Sequence, residues 1–358
     1  RIGNPSMGWI FGVIDHPGHA AYPFADGRIY LARGLVARLN SEAELAAVLA
    51  REIAHVVAHS TPVARAVPTL PGLIGPTPDF DLDETPVYAP SDHADADARA
   101  AHYLAEAGYE PRALLAVAGR DDEIRKRVVE LARQGAGPDY RIGREEFLTT
   151  LAGLPWGWPP EFGRLVGTTL LHDAVGLAFT FPAGWKVVRE AGRALARSPE
   201  GDGLIELVWL TGDDVPAAAL QKLLRLDPGA RYDAGAINGL PAAFAAGAAG
   251  GRPVLASVLR HGKRLVAVAV QSRDNASYLR DRAVLRAALN SVRPLTAQEH
   301  GPRRQLKLKV VTLEPGMSLT RLAATSPLGE AAANALRQLN RLPPKAELRA
   351  GQQLKLVE

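Results

Sequence analysis

Five consecutive residues, Arg51-Glu52-Ile53-Ala54-His55, carry most of a zinc-site pattern. Two histidines at i and i+4 on a helix point the same way and can share one metal ion. A glutamate between them activates the bound water. Here the first histidine position is Arg51, whose guanidinium stays protonated and offers donors only, so it cannot coordinate a cation. Glu52 keeps the place of the base and His55 that of a ligand. His55 and His59 repeat the spacing, but Val56 stands where that register would need its base. Further on, His93 and Asp97 are again i, i+4 and share a helix face. His16 and His19 lie in an early loop, where a histidine is more often a surface group than a ligand.

Residues 41–60 read as the helix that must position this chemistry. Asn40 or Ser41 caps it, and Glu42 and Glu44 sit in its first turn, where the helix dipole favours negative charge. Leu45, Val48, Leu49, Glu52, Ile53 and Val56 recur at helical spacing, which puts Glu52 on or beside the inward stripe. An acid there is costly to bury unless it is paired, metal-bound or in a cleft. Residues 61–90 hold seven prolines and read as a long loop. A second helix over about 91–107 ends at Gly108 and carries His93 and Asp97. Residues 111–134 read as helical, and 135–165 as a Gly-, Pro- and Trp-rich linker.

The periodicity then changes. Residues 176–188 read as strand, Pro-Gly turn and strand, and 204–210 as a strand. A hairpin turns about His261-Gly262, and helices cover 217–226 and 278–290, which makes a one-sheet α+β domain. The last stretch reads strand, helix, helix, strand. The fold class expected is α+β throughout, with a mostly helical domain over 1–160, a sheet domain over 165–297 and a small βααβ unit over 303–358.

A chain of 358 residues is long enough for two or three domains. Its net charge of +4 and the lack of a Lys/Arg block interleaved with aromatics argue against nucleic acid as a partner. The absence of cysteine excludes disulfides, cysteine nucleophiles and thiolate metal sites. No run approaches the roughly 18 apolar residues of a spanning helix, so no transmembrane segment is expected. No signal peptide is visible, and the chain opens on Arg1 rather than Met.

Residues 28–120 resemble the HtpX/BepA/Oma1-like zinc metallopeptidases, a group of gluzincins. The resemblance rests on RIYLARGL, on NSEAELAAVL followed by REIAH, on Asp95-Ala96-Asp97, and on AEAGYEPRAL. It implies a helical gluzincin-like domain, zinc as cofactor, Glu52 as general base, and His55 as a metal ligand. His93 falls at the third ligand position, where the family has Glu, and Asp97 at the position that orients a ligand histidine from behind. Arg51 alters the remaining ligand position. The last sixty residues resemble a LysM module, through Glu314-Pro315-Gly316, Asn340 with Leu342, and Gly351-Gln352-Gln353-Leu354. That resemblance implies binding to N-acetylglucosamine-containing glycans such as peptidoglycan.

Together these readings imply a metalloendopeptidase relative in the periplasm or cell envelope whose zinc centre is degraded and which binds a protein or peptide client. Two alternatives stay open. One is a working zinc endopeptidase with a modified ligand set; the other is a peptidoglycan-binding adaptor.

Overall fold

A computed structural model describes residues 7–58, 72–74, 88, 90–117, 126, 128–130, 139–190, 192–301, 304–344 and 346–358. The chain divides into two compact units. The first comprises Arg1–Arg65, Leu82–Gly157 and Gln305–Glu358, the second Ala66–Asp81 and Trp158–Arg304. Helix and strand both contribute heavily, as the α+β reading expects.

The first unit begins with a three-stranded sheet. Strand β1 (Ile10–Ile14) runs parallel to β3 (Arg28–Ala32), and β2 (Ala21–Pro23) pairs antiparallel on its other side. A short helix, α1 (Arg33–Arg38), follows β3 directly. Gly34 is required there: its amide bonds to the His16 carbonyl at 3.0 Å, and a Cβ would come within 1.9 Å of the Pro17 oxygen. Beside it Arg33 is buried, its Nε 2.6 Å from Asp15 and its Nη2 3.1 Å from the Gly157 carbonyl.

Helix α2 (Glu42–Val57) starts as its sequence dictates. The Ser41 hydroxyl accepts from the Glu44 amide at 3.2 Å, and the Glu44 carboxylate accepts from the Asn40 amide at 2.7 Å. Its buried face keeps Val48, Glu52 and Val56 of the expected stripe but not the other three. Leu45, Leu49 and Ile53 are only partly buried and line an apolar groove with Phe11 and Tyr103. The rest of the buried face is largely alanine. Ala47 and Ala50 meet Ala100, Ala101 and Leu104 of α3 (Pro90–Glu106), and such small residues let two helices approach closely. A stripe counted from large residues alone misses that face.

A 3-10 helix, Pro111–Ala116, begins the stretch read as helical over 111–134; residues 126 and 128–130 are helical, and much of the remainder lies outside the described residues. So do His59 and most of the proline-rich loop. The expected linker contains a helix, α4 (Arg144–Thr150), which buries Phe147 and Leu148. Gly143 in the left-handed region precedes it, and that flanking glycine hides it from a composition-based reading. Strand β4 (Pro155–Trp156) follows.

The second unit contains two sheets rather than the single one expected. Strands β5 (Arg164–Val166), β6 (Thr169–His172) and β7 (Leu177–Thr180) form the smaller sheet, completed by a later strand beside β7. The larger sheet takes β8 (Lys186–Glu190), β9 (Arg193–Arg197) and β10 (Gly203–Thr211). Helix α5 (Pro216–Leu223) precedes β11 (Arg231–Ile237), β12 (Leu240–Ala249), β13 (Arg252–His261) and β14 (Arg264–Ser272). Its order is β11-β12-β13-β14-β10-β9-β8, antiparallel throughout. The turn after Phe181 does not close a hairpin: β7 pairs with β6 and β8 with β9, so this turn carries the chain from one sheet to the other. Helix α6 (Asn275–Leu289) and β15 (Arg293–Pro294) complete the unit. Glu206, buried in β10, accepts from the Leu73 and Ile74 amides at 2.5 and 3.3 Å.

The chain then returns to the first unit. Strand β16 (Leu306–Thr312) pairs with β4 on one side and β17 (Gln353–Val357) on the other, with α7 (Leu319–Ala324) and α8 (Ala332–Leu339) between. Leu308, Leu336, Leu339 and Val357 share a core with Ile29, Leu39, Val48 and Leu148. Lys355 is 0% exposed, and its Nζ donates to the carbonyls of Ala37 and Leu39 at 2.8 and 2.7 Å. Asn340 locks the same strand, accepting from the Lys355 amide at 2.8 Å and donating to its carbonyl at 2.8 Å. No helix among the described residues is long and apolar enough to cross a membrane.

Candidate functional site

The helices α2 and α3 bring Arg51, Glu52, His55, His93 and Asp97 into one cluster within the first unit. Arg51 lies at its centre. Its Nε donates to Oδ1 of Asp97 at 2.7 Å, and its Nη2 lies 2.8 Å from Nδ1 of His93. A guanidinium can only donate, so Nδ1 of His93 must accept, and that imidazole is neutral with its proton on Nε2. Burial, and then the Arg51 charge, hold the His93 pKa below its ordinary value, in agreement with a neutral ring. Asp97 is 1% exposed, so its charge sits where a cation close at hand is needed.

His55 is also 1% exposed. It stacks on Tyr88 with ring centres 3.8 Å apart and planes 9° from parallel, and meets His93 edge-on at 5.4 Å. Among the described residues neither of its ring nitrogens has a hydrogen-bond partner. Burial, reinforced by Arg51 and His93, pushes its pKa down to about 4. Glu52, 7% exposed, moves the other way. Burial raises its carboxyl to about 7, Arg51 opposes that rise and Asp97 adds to it. The site therefore holds a neutral imidazole beside a carboxyl that changes charge near neutrality. Burial raises the Tyr88 hydroxyl above its ordinary value, with the Glu52 charge adding to it.

Arg51, Glu52, Tyr88 and His93 open onto a cavity of about 470 Å³. His19 and Arg38 stand on its wall with Arg51, Glu52, Tyr88 and Arg341. His19 is thus part of the site, its pKa held at about 4 by burial and then by Arg38. His16 is buried nearby in sequence, and its Nδ1 accepts from the Gly18 amide at 3.1 Å. No sequence pattern points to Tyr88, Arg38 or Arg341. They come from the proline-rich loop, from the last turn of α1 and from the residue after α8, and none belongs to a local motif.

The donor set does not fit a zinc ion. A catalytic zinc needs about three protein donors with free lone pairs. The His93 lone pair at Nδ1 is taken by Arg51 and its other nitrogen carries hydrogen, while Asp97 is held by the same guanidinium. That leaves His55, Glu52 and the cavity-wall His19, and among the described residues no three His, Cys, Asp or Glu side chains gather to hold a metal. The Arg51 charge would further oppose a cation at this position.

Residues 1–67 match the sequence profile of peptidase family M48, which supports a metallopeptidase origin for the region containing α2. The family is generally zinc-dependent; the matched stretch covers Arg51, Glu52 and His55 and stops short of His93 and Asp97. No curated protein matches the chain. Among solved structures, PsbP from Synechocystis sp. PCC 6803 is similar at 15% identity and a TM-score of 0.29, over 37% of this chain and 96% of that one. A protein from Bacteroides thetaiotaomicron VPI-5482 is similar at 10% identity and 0.27, over 52% and 65% respectively. LpqN of Mycobacterium tuberculosis, described as involved in cell envelope biogenesis, is similar at 17% and 0.24, over 32% and 81%. Scores this low carry no functional weight.

Proposed function

We propose that the first unit is a metallopeptidase scaffold of the HtpX/BepA type whose metal position has been closed by Arg51, and that it works by binding a protein or peptide client rather than by cleaving it. The observation that carries this reading is the pair of bonds from Arg51 to Asp97 and His93. One guanidinium supplies positive charge to the buried carboxylate and occupies the lone pair a metal would need. Glu52 keeps its buried place but has no metal-bound water to activate. The location we propose, the bacterial periplasm or cell envelope, rests on the resemblance to HtpX- and BepA-like proteins.

A proteolysis assay with casein and with an unfolded protein tests the reading. Wild type and Glu52→Gln, each supplied with zinc, are expected to give the same rate as buffer. Zinc-dependent cleavage by wild type that disappears in Glu52→Gln would show a working peptidase.

A second role is proposed for residues 303–358, on their LysM-like sequence marks and their strand–helix–helix–strand order. The full chain is expected to sediment with purified peptidoglycan and to be released by soluble N-acetylglucosamine oligomers. A chain that stays in the supernatant would leave this segment as a packing element of the first unit.

A further inference from the structure

Closing the metal position does not account for the charges around the cavity. Three arginines line it from three separate elements: Arg38 at the end of α1, Arg51 in α2, and Arg341 after α8. Two of them are answered by carboxylates. Arg51 bonds to Asp97, and Nη1 of Arg341 lies 2.5 Å from Oε1 of Glu44. Arg38 is not answered. Among the described residues it has no carboxylate partner, and its Nε is sealed from solvent without an acceptor, which leaves its terminal nitrogens as the donors a ligand in the cavity can reach. A half-buried guanidinium left in this state costs free energy, and its planar fork is the shape that takes a carboxylate through two parallel bonds. Next to it the cavity wall is apolar, built from Leu35, Leu39, Val48 and Val117.

We infer that this cavity binds a monocarboxylate carried on a short apolar stem, with Arg38 as the principal partner of the anion. One unanswered guanidinium matches one negative charge and leaves a dianion such as phosphate under-neutralised. Leu35, Leu39, Val48 and Val117 receive the stem, and the volume of about 470 Å³ falls within the usual range of small-ligand sites. The inference rests on the binding reading above and names the chemistry that such a site would recognise. Two sources supply that chemistry: the C-terminus of a peptide ending in an aliphatic residue, and a free aliphatic acid.

Isothermal titration of the full chain tests it with three probes: N-acetyl-alanyl-leucine with a free carboxylate, its C-terminal amide, and 4-methylpentanoate. The free-acid dipeptide is expected to bind, and its amide to bind at least tenfold more weakly. Arg38→Gln is expected to lose at least tenfold in affinity for the free acid. If Arg38→Gln fails to fold, Arg38→Lys keeps the charge but loses the fork, and a severalfold loss is expected. Tight binding of 4-methylpentanoate assigns the site to free acids, and weak binding assigns it to peptide termini. Equal binding of acid and amide, displacement of the acid by equimolar inorganic phosphate, or wild-type affinity in a folded Arg38 variant would each overturn the inference. Zinc content measured on the same samples separates the two levels of the argument. Zinc-free protein that ignores the acid sinks only the carboxylate site, whereas a full equivalent of bound zinc sinks the reading beneath it.

Discussion

A chain carrying Arg51→His is expected to take up one equivalent of zinc after dialysis against micromolar metal, where the wild-type chain takes up none. The substitution removes the guanidinium and with it three obstacles: the donor on His93 Nδ1, the clamp on Asp97, and the local positive charge. It also restores an imidazole four residues before His55, on the same helix face. The introduced imidazole, His55 and His93 then make three neutral nitrogen donors, with Asp97 at the position that orients a ligand ring from behind. Binding to the folded state alone stabilises it by RT ln(1 + [L]/Kd), about 2.7 kcal/mol at a hundredfold excess over Kd. Thermal unfolding with and without zinc should therefore shift upward for Arg51→His and stay still for wild type and for Arg51→Gln. Elemental analysis finding a full equivalent in wild type, lost on His55→Ala, would be incompatible with a closed position.

The second large effect concerns Lys355. Its ammonium lies wholly inside the first unit and bonds to two carbonyls at the end of α1, a helix end that favours a cation. Lys355→Ala strips both carbonyls of their donor and opens a cavity the size of the lysine stem. A loss of about 3–5 kcal/mol is expected in chemical denaturation. Burial also pushes the Lys355 pKa down, to about 7, with Glu44 opposing the shift and Arg341 adding to it. The folded pKa is therefore below the unfolded value of 10.5. Between about pH 7 and 10.5 the unfolded chain binds one more proton than the folded chain, so the contribution of Lys355 to stability rises with pH across that window. Below pH 7 both states are protonated and the cost of burying the charge is present in full. Lys355→Met keeps the stem and removes the titration. The difference in unfolding free energy between wild type and Lys355→Met should grow in favour of wild type from pH 7 to 10. A constant difference over that range would refute this account of the buried ammonium.

Much of the site was legible in the sequence because it is local. The start of α2 follows from Ser41, Glu42 and Glu44, and the i, i+4 rule puts His93 and Asp97 on one face of α3. Arg51 announced itself by standing where a donor pair was needed. The rest of the cavity was not legible, because Arg38, Tyr88 and Arg341 are brought together by chain reversals that leave no periodic trace. The alanine contact between α2 and α3 escaped because small side chains contribute little to an apolar pattern even where they are fully buried. In the second unit alternation made β7, β8, β10, β13 and β14 readable, but not β5, β6, β9, β11 or β12, nor which sheet each strand joined. Pairing partners such as β10 and β14 lie about sixty residues apart, and a turn such as that after Phe181 looks the same whether it closes a hairpin or passes between sheets.

The core of the first unit is shared between its opening segment and β16, α8 and β17, with the whole second unit intervening in the chain. On a ribosome, synthesis delivers these parts in a fixed sequence. Residues 158–304 emerge with both of their sheets complete. Helices α2 and α3 have left the tunnel by then, with Ala37 and Leu39 still awaiting the donor that arrives only at residue 355. The earliest-made helices are thus the last to be sealed, and for that interval they present apolar surface to whatever holds nascent chains.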